Sequence, residues 1–136
     1  MWDTHLLIYS LLVLSSPHAG LSARTAAGFA QGVLARGHTL ERVFFLDAGV
    51  QHGAISPVFP QGEANPLDDW LALRRDHSIE LLLCVSSALR HGMLDSNEAT
   101  RHERAGATIH PAFTIAGLGQ LIEANQQADR LITFGG

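Results

Sequence analysis

Ile79-Glu80-Leu81-Leu82-Leu83-Cys84-Val85, followed at once by Ser86-Ser87-Ala88-Leu89-Arg90, is the stretch that decides the fold. A short apolar run that gives way directly to small, helix-starting residues reads as a buried strand feeding a helix, half of a βαβ unit. Cys84, the only cysteine in the chain, then stands at the carboxyl end of a strand. In parallel α/β sheets that end faces the crevice where ligands bind. A thiol at a helix N-terminus also feels a field that favours the thiolate, the form that attacks sulfur or phosphorus. On spacing alone, inert packing is the commoner outcome, because free cysteine is among the most buried residue types.

Working outward, residues 7–14 and Leu40 to Leu46 read as strands, and Arg130 to Phe134 as a last one. The first is apolar enough to be buried on both faces. Ala23 to Arg36 carries Ala26, Ala27, Ala30, Val33 and Leu34 at helical spacing, with Gly37 as the stop. Pro66 suits the first turn of a helix through Leu67, Trp70, Leu71 and Leu73. Asp95 and Glu98 form a capping pattern before a helix to Glu103, and Gly117 to Ala128 reads as the last helix. Thr108 to Ile115 is ambiguous, since Pro111 splits a short strand. Val50 to Pro66 has no periodicity and reads as a long loop of the functional or mobile kind. Strands alternating with helices imply an α/β fold, a three-layer α/β/α sandwich on a mostly parallel sheet of about five strands. One domain spans residues 1–136, with residues 1–8 readable as an N-terminal extension.

Composition narrows the function. The 136 residues carry a net charge of −4, and all 9 basic residues are arginines with no dense cluster, so direct contact with nucleic acid is not expected. A single cysteine excludes an internal disulfide and a multi-cysteine zinc site, and fits the cytoplasm, where thiols stay reduced. Leu6 to Leu14 has the length of a signal-peptide core, but Asp3 and the lack of any Lys or Arg before it argue against one. The run is also too short for a membrane span, so no membrane association is expected. None of the 8 histidines pairs at metal-ligand spacing, and surface or capping roles are expected for them, with no metal. Gly117-Leu118-Gly119 lacks the rest of a dinucleotide fingerprint and reads as allowing close packing at a helix start; no organic cofactor is expected. Ser15 and Ser16 have no recognisable His and acid partners for serine hydrolysis.

Three readings of Cys84 remain open on the residues alone. Cys84 and Arg90 match the C-x5-R spacing of cysteine phosphatases, but the five residues between them hold no glycine to shape an anion cradle. A persulfide relay needs one nucleophilic cysteine and no resolving partner, which suits a solitary thiol. In that case Ser86, Ser87 and Arg90 are the supporting candidates. His91, about 10 Å along a helix from Cys84, is beyond hydrogen-bond reach. The third reading is a non-catalytic assembly subunit in which Cys84 only packs.

A set of stretches, in order and at matching spacing, resembles the TusD/DsrE sulfurtransferase subunits of the DsrE-like family from about Leu11 onward. They are Gly37-His38 leading into Arg42-Val43-Phe44-Phe45, Asp47-Ala48-Gly49-Val50, Cys84 through Asp95, Phe113 through Leu121, and Ala128-Asp129-Arg130-Leu131. The resemblance implies a cytoplasmic sulfurtransferase whose Cys84 carries a persulfide. It implies assembly with TusC/DsrF-like and TusB/DsrH-like subunits into a heterohexamer, a TusA-like sulfur donor and a TusE/DsrC-like acceptor. The sulfur would end as the 2-thio group of the tRNA wobble uridine in the Tus branch, which is preferred, or enter dissimilatory sulfur oxidation in the Dsr branch. Ser86 and Ser87 depart from the alanines usual after Cys-Val in that family, and His91 stands where a second arginine is common. The first strand of the family also starts nearer the initiator methionine.

Overall fold

Alternation along the strands decides which side of the sheet each helix covers. In the computed structural model, which describes residues 5–19 and 21–135, the strands are β1 (Ile8–Val13), β2 (Thr39–Phe45), β3 (Glu80–Cys84), β4 (Phe113–Ala116) and β5 (Arg130–Phe134). The helices are α1 (Leu21–Ala35), α2 (Pro66–Asp76), α3 (Val85–Arg90), α4 (Ser96–Arg101) and α5 (Leu118–Gln127). The sheet runs β4-β3-β2-β1-β5, and every pairing is parallel. The α/β reading therefore holds. Asp3, on which the reading of the leader turned, lies outside the described residues.

Leu11, Val13, Val43, Phe45, Leu81, Leu83 and Phe113 point to one face, where they meet Ala26, Ala27, Ala30 and Val33 of α1 and Leu67, Trp70 and Leu73 of α2. Phe44, Leu82, Cys84 and Ala116 point to the other, with Leu12, Leu46 and Leu121 against them. Right-handed crossovers explain the division. The steps β1 to β2 to β3 run in one direction and put α1 and α2 on one side, whereas β4 to β5 returns across the whole sheet and puts α5 on the other. The second face is the thinner one, since Ala124 is the only described residue of α5 that is buried. Arg42 helps hold it, reaching Glu80 at 2.8 Å and Glu123 of α5 at 3.4 Å. Both partners are about half exposed, so these pairs contribute little each.

Local rules account for the ends of the elements. Asn65 Oδ1 accepts the Leu67 N–H at 3.0 Å, and Pro66 occupies the first turn of α2. Asp95 Oδ1 accepts the Glu98 N–H at 2.8 Å, the cap read from the sequence. Pro111 leaves the ambiguous segment as a short strand that begins only at Phe113. Leu7 and Ile8 are already tied in at the amino end of β1: the Leu7 N–H donates to His38 Nδ1 at 3.0 Å, and the Ile8 N–H to Asp129 Oδ2 at 2.7 Å. Among the described residues, no helix is long and apolar enough to cross a membrane.

Three expectations need correction. The front of the supposed long loop is a 3₁₀ turn, Asp47–Gly53, with Gly49, Val50, His52 and Gly53 buried. Its lack of periodicity reflects its shape, because a single short turn has no face to repeat. Gly117 and Gly119 do not serve close packing, since a Cβ at either meets no atom within 4 Å. The first turn of α5 stands off the sheet there, and Leu118 is 56% exposed. Finally, β1 is not covered throughout, because Ile8 lies exposed at its amino end.

Gly49 is a different case, because a Cβ there would run into the carbonyl oxygen of Val13 at the end of β1. Backbone cannot yield as a flexible side chain can. Gly49→Ala is expected to destabilise the protein by about 2–3 kcal/mol in urea unfolding, whereas Gly106→Ala, which meets open space, should stay within about 0.5 kcal/mol of the parent.

Candidate active site

Cys84 ends β3 and pairs in register with Ala116 of β4, so both chains leave the sheet side by side. Its backbone is still extended, with φ −60° and ψ 126°, and α3 begins at the next residue. The side chain faces the α5 side among Phe44, Leu82 and Ala116, and is 2% exposed. Ser86 Oγ lies 3.5 Å from Cys84 Sγ. Burial pushes the thiol up, but the Ser86 hydroxyl, the Ser87 amide and hydroxyl and the Ser86 amide together outweigh it and hold the thiol below its ordinary value. Because α3 is 6 residues long, this local set of donors favours the thiolate more than any helix dipole does.

The structure brings Ser86 and Ser87 to Cys84 and leaves Arg90 apart. Arg90 is exposed in the last turn of α3, roughly 9 Å along the axis from Cys84. No ion pair among the described residues involves it. His91 is exposed just beyond. The C-x5-R spacing therefore has no anion loop behind it. Val85 to Arg90 are helical, so their amides cannot converge on a phosphoryl group as a cradle requires.

Two residues of the turn Asp47–Gly53 escaped the sequence. Asp47, at φ 51°, is one of two described non-glycine residues in the left-handed region, and its N–H donates to Ser87 Oγ at 2.9 Å. His52 is 1% exposed, which corrects the surface or capping role expected for it. Its Nδ1 accepts the Trp70 Nε1–H at 3.1 Å, and its Nε2 donates to the Ser15 carbonyl at 3.0 Å. An indole N–H can only donate, so the tautomer is set. Phe45 lies against both rings, at 5.4 Å from His52 and 5.3 Å from Trp70. No spacing in the sequence announces a histidine of this kind; the flanking Gly49 and Gly53 mark only that the chain turns tightly.

The DsrE/DsrF-like family model matches residues 8–134. The chain belongs to that family. A sulfurtransferase TusD of Serratia proteamaculans is 40% identical over 130 residues, covering 95% of this chain and 100% of that protein. A protein of Allochromatium vinosum named as a DsrE sulfurtransferase is 36% identical over 127 residues, covering 93% of this chain and 98% of its own. The fold of this DsrE/DsrF-like chain is also that of the ychN protein from E. coli, with a TM-score of 0.73 at 17% identity over 96% of this chain and 100% of the other.

His52 makes the fold of this chain sensitive to acid. Burial lowers its pKa from 6.5 to about 4, the Ser15 carbonyl opposing and His18 adding to the fall. Between those values the unfolded chain takes up a proton that the folded chain refuses, so stability declines as pH falls through that window. The full loss is on the order of 3 kcal/mol. His52→Gln should be less stable than the parent at neutral pH, and the gap between their urea midpoints should narrow as the pH is lowered toward 4.

Proposed function

We propose that this chain is a sulfurtransferase subunit that relays sulfane sulfur through Cys84. The observation that carries the reading is the sole thiol, set at the carboxyl end of β3 with serine donors that favour its anion. Relatives at 36% and 40% identity over almost the whole chain carry sulfurtransferase names, which supports the same chemistry here. The Cys84 thiolate attacks the outer sulfur of a donor persulfide. The new S–S bond forms as the donor's S–S bond breaks, and the donor leaves as a thiolate with the bonding electron pair. An acceptor thiolate then attacks the outer sulfur on Cys84 in the same way and restores the Cys84 thiolate. Sulfur moves, and no net oxidation or reduction occurs.

At 2% exposure the sulfur is closed to bulk water. This suits a carrier, because a persulfide open to solvent is lost to stray thiols and oxidants. Transfer then requires a docked partner to displace the cover, in which Leu121 of α5 takes part. DsrF/DsrH-like subunits as companions in a cytoplasmic heterohexamer, a TusA-like donor and a TusE/DsrC-like acceptor make up the relay proposed. Its endpoint is the 2-thio group of the tRNA wobble uridine. As a second reading, the likeness to a protein named DsrE favours the Dsr branch, for which the family resemblance implies delivery into sulfur oxidation.

Incubation with a persulfidated TusA-like donor should add one sulfur, about 32 Da by mass spectrometry, at Cys84 and nothing in Cys84→Ser. An unchanged mass with a donor competent toward other acceptors sinks the relay. Loss of wobble-uridine thiolation on deleting the gene supports the tRNA endpoint. Intact thiolation with impaired sulfur oxidation supports the other.

A further inference from the structure

The helix that covers Cys84 is weakest at the end that does the covering. α5 is entered through Gly117, directly after Ala116, the register partner of Cys84. Gly117 has no side chain to cap the first turn, and Leu118, Gly119 and Gln120 bring no acidic group to it. An uncapped first turn leaves amides without partners. Glycine is also a poor helix former, because ordering it removes the most backbone freedom. A turn bond from the Gln120 N–H to the Gly117 carbonyl, at 3.1 Å, closes the start. By contrast, α2 and α4 start on Asn65 and Asp95, whose side chains accept amides of their own first turns.

Packing does not make up the difference. Gly117, Leu118, Gly119, Gln120 and Ile122 are exposed, and a Cβ at either glycine meets no atom within 4 Å. Leu121 alone in this stretch turns inward, onto the cluster of Phe44, Leu82, Cys84 and Ala116. The second half of α5 is better held. Glu123 reaches Arg42 of β2 at 3.4 Å, Ala124 is buried, and the Ala128 N–H donates to the Ala124 carbonyl at 3.0 Å before the chain enters β5. Leu12 and Leu46 also lie against the Cys84 cluster, but one is within β1 and the other is bonded to the Val13 carbonyl through its N–H. Of the side chains over the cluster, Leu121 is the one on a segment free to leave.

We propose that residues 117–121 form a lid: the first turn of α5 unwinds while residues 123–127 stay seated, which lifts Leu121 and admits a reagent or a partner's sulfur to Cys84. Local unfolding of this kind costs least where few apolar contacts and solvent-exposed hydrogen bonds hold a segment. The lid rests on the relay reading for its purpose, since a sulfur closed to water must be reached twice in each cycle. The motion itself is independent of that reading.

The test pairs residue-by-residue amide exchange in α5, followed by NMR, with iodoacetamide alkylation of Cys84 followed by mass spectrometry. In the parent, the Leu121 and Ile122 amides should exchange faster than those of residues 125–127. Gly119→Ala puts a better helix former into open space, so exchange at Leu121 and alkylation should both slow about two- to fivefold. The pH midpoint of alkylation should stay where it is. Leu121→Ala should speed alkylation while the amides of β3 keep their protection. A Gly119→Ala protein that is alkylated at the parent rate overturns the lid, because the sulfur is then reached another way, past the exposed Ser86 at 3.5 Å. Exchange at Leu121 no faster than at residues 125–127 in the parent overturns it too. A competent persulfide donor that fails to load Cys84 would strike the relay and leave these exchange and alkylation results standing.

Discussion

The turn Asp47–Gly53 is pinned to the carboxyl end of β1 by a short series of backbone-directed bonds. The Leu46 N–H reaches the Val13 carbonyl, Gly49 presses so close that no side chain fits, and His52 reaches the Ser15 carbonyl. Trp70 closes the set from α2. A buried imidazole with an unmet nitrogen would cost roughly 1–3 kcal/mol, and here both nitrogens are met. The turn therefore behaves as part of the core. Because it leaves β2 beside the end of β3, its position sets what surrounds Cys84.

The two faces of the sheet divide the work of stability and chemistry. The α1/α2 face holds the large aromatic core around Phe45, Trp70 and Phe113, where burial of apolar surface is greatest. The α5 face is thin, with few buried residues and Leu118 and Ile122 left exposed at 56% and 60%. Cys84 points into the thin side. A thiol on the other face would be locked under two helices, and desolvation there would drive its pKa upward without relief. On the α5 face the hydroxyls and amides of two serines together outweigh desolvation.

Much of this was legible in the chain. The apolar run ending at Cys84, the alternation of strands and helices, and the caps at Pro66 and Asp95 are local signals, and the structure follows them. Local signals also misled. Gly117 and Gly119 suggested tight packing where there is open space, the apolar first strand suggested cover that Ile8 lacks, His52 read as a surface or capping residue and is buried, and Val50 to Pro66 hid a buried turn behind a loop-like composition. Each error concerns what lies across from a residue, on which neighbours in sequence carry no information.

The sequence by itself determined that this is a parallel α/β protein with one thiol at the end of a strand, because hydrophobic periodicity and turn residues act over a few positions. Only the tertiary structure decided what that thiol meets. Asp47 and Ser87 are 40 positions apart, and His52 and Ser15 are 37 apart. Such pairs are chosen by the order of strands in the sheet and by the handedness of the crossovers between them. The sequence names the thiol and its serine neighbours; the fold supplies the turn that meets Ser87 and the helix that covers the sulfur.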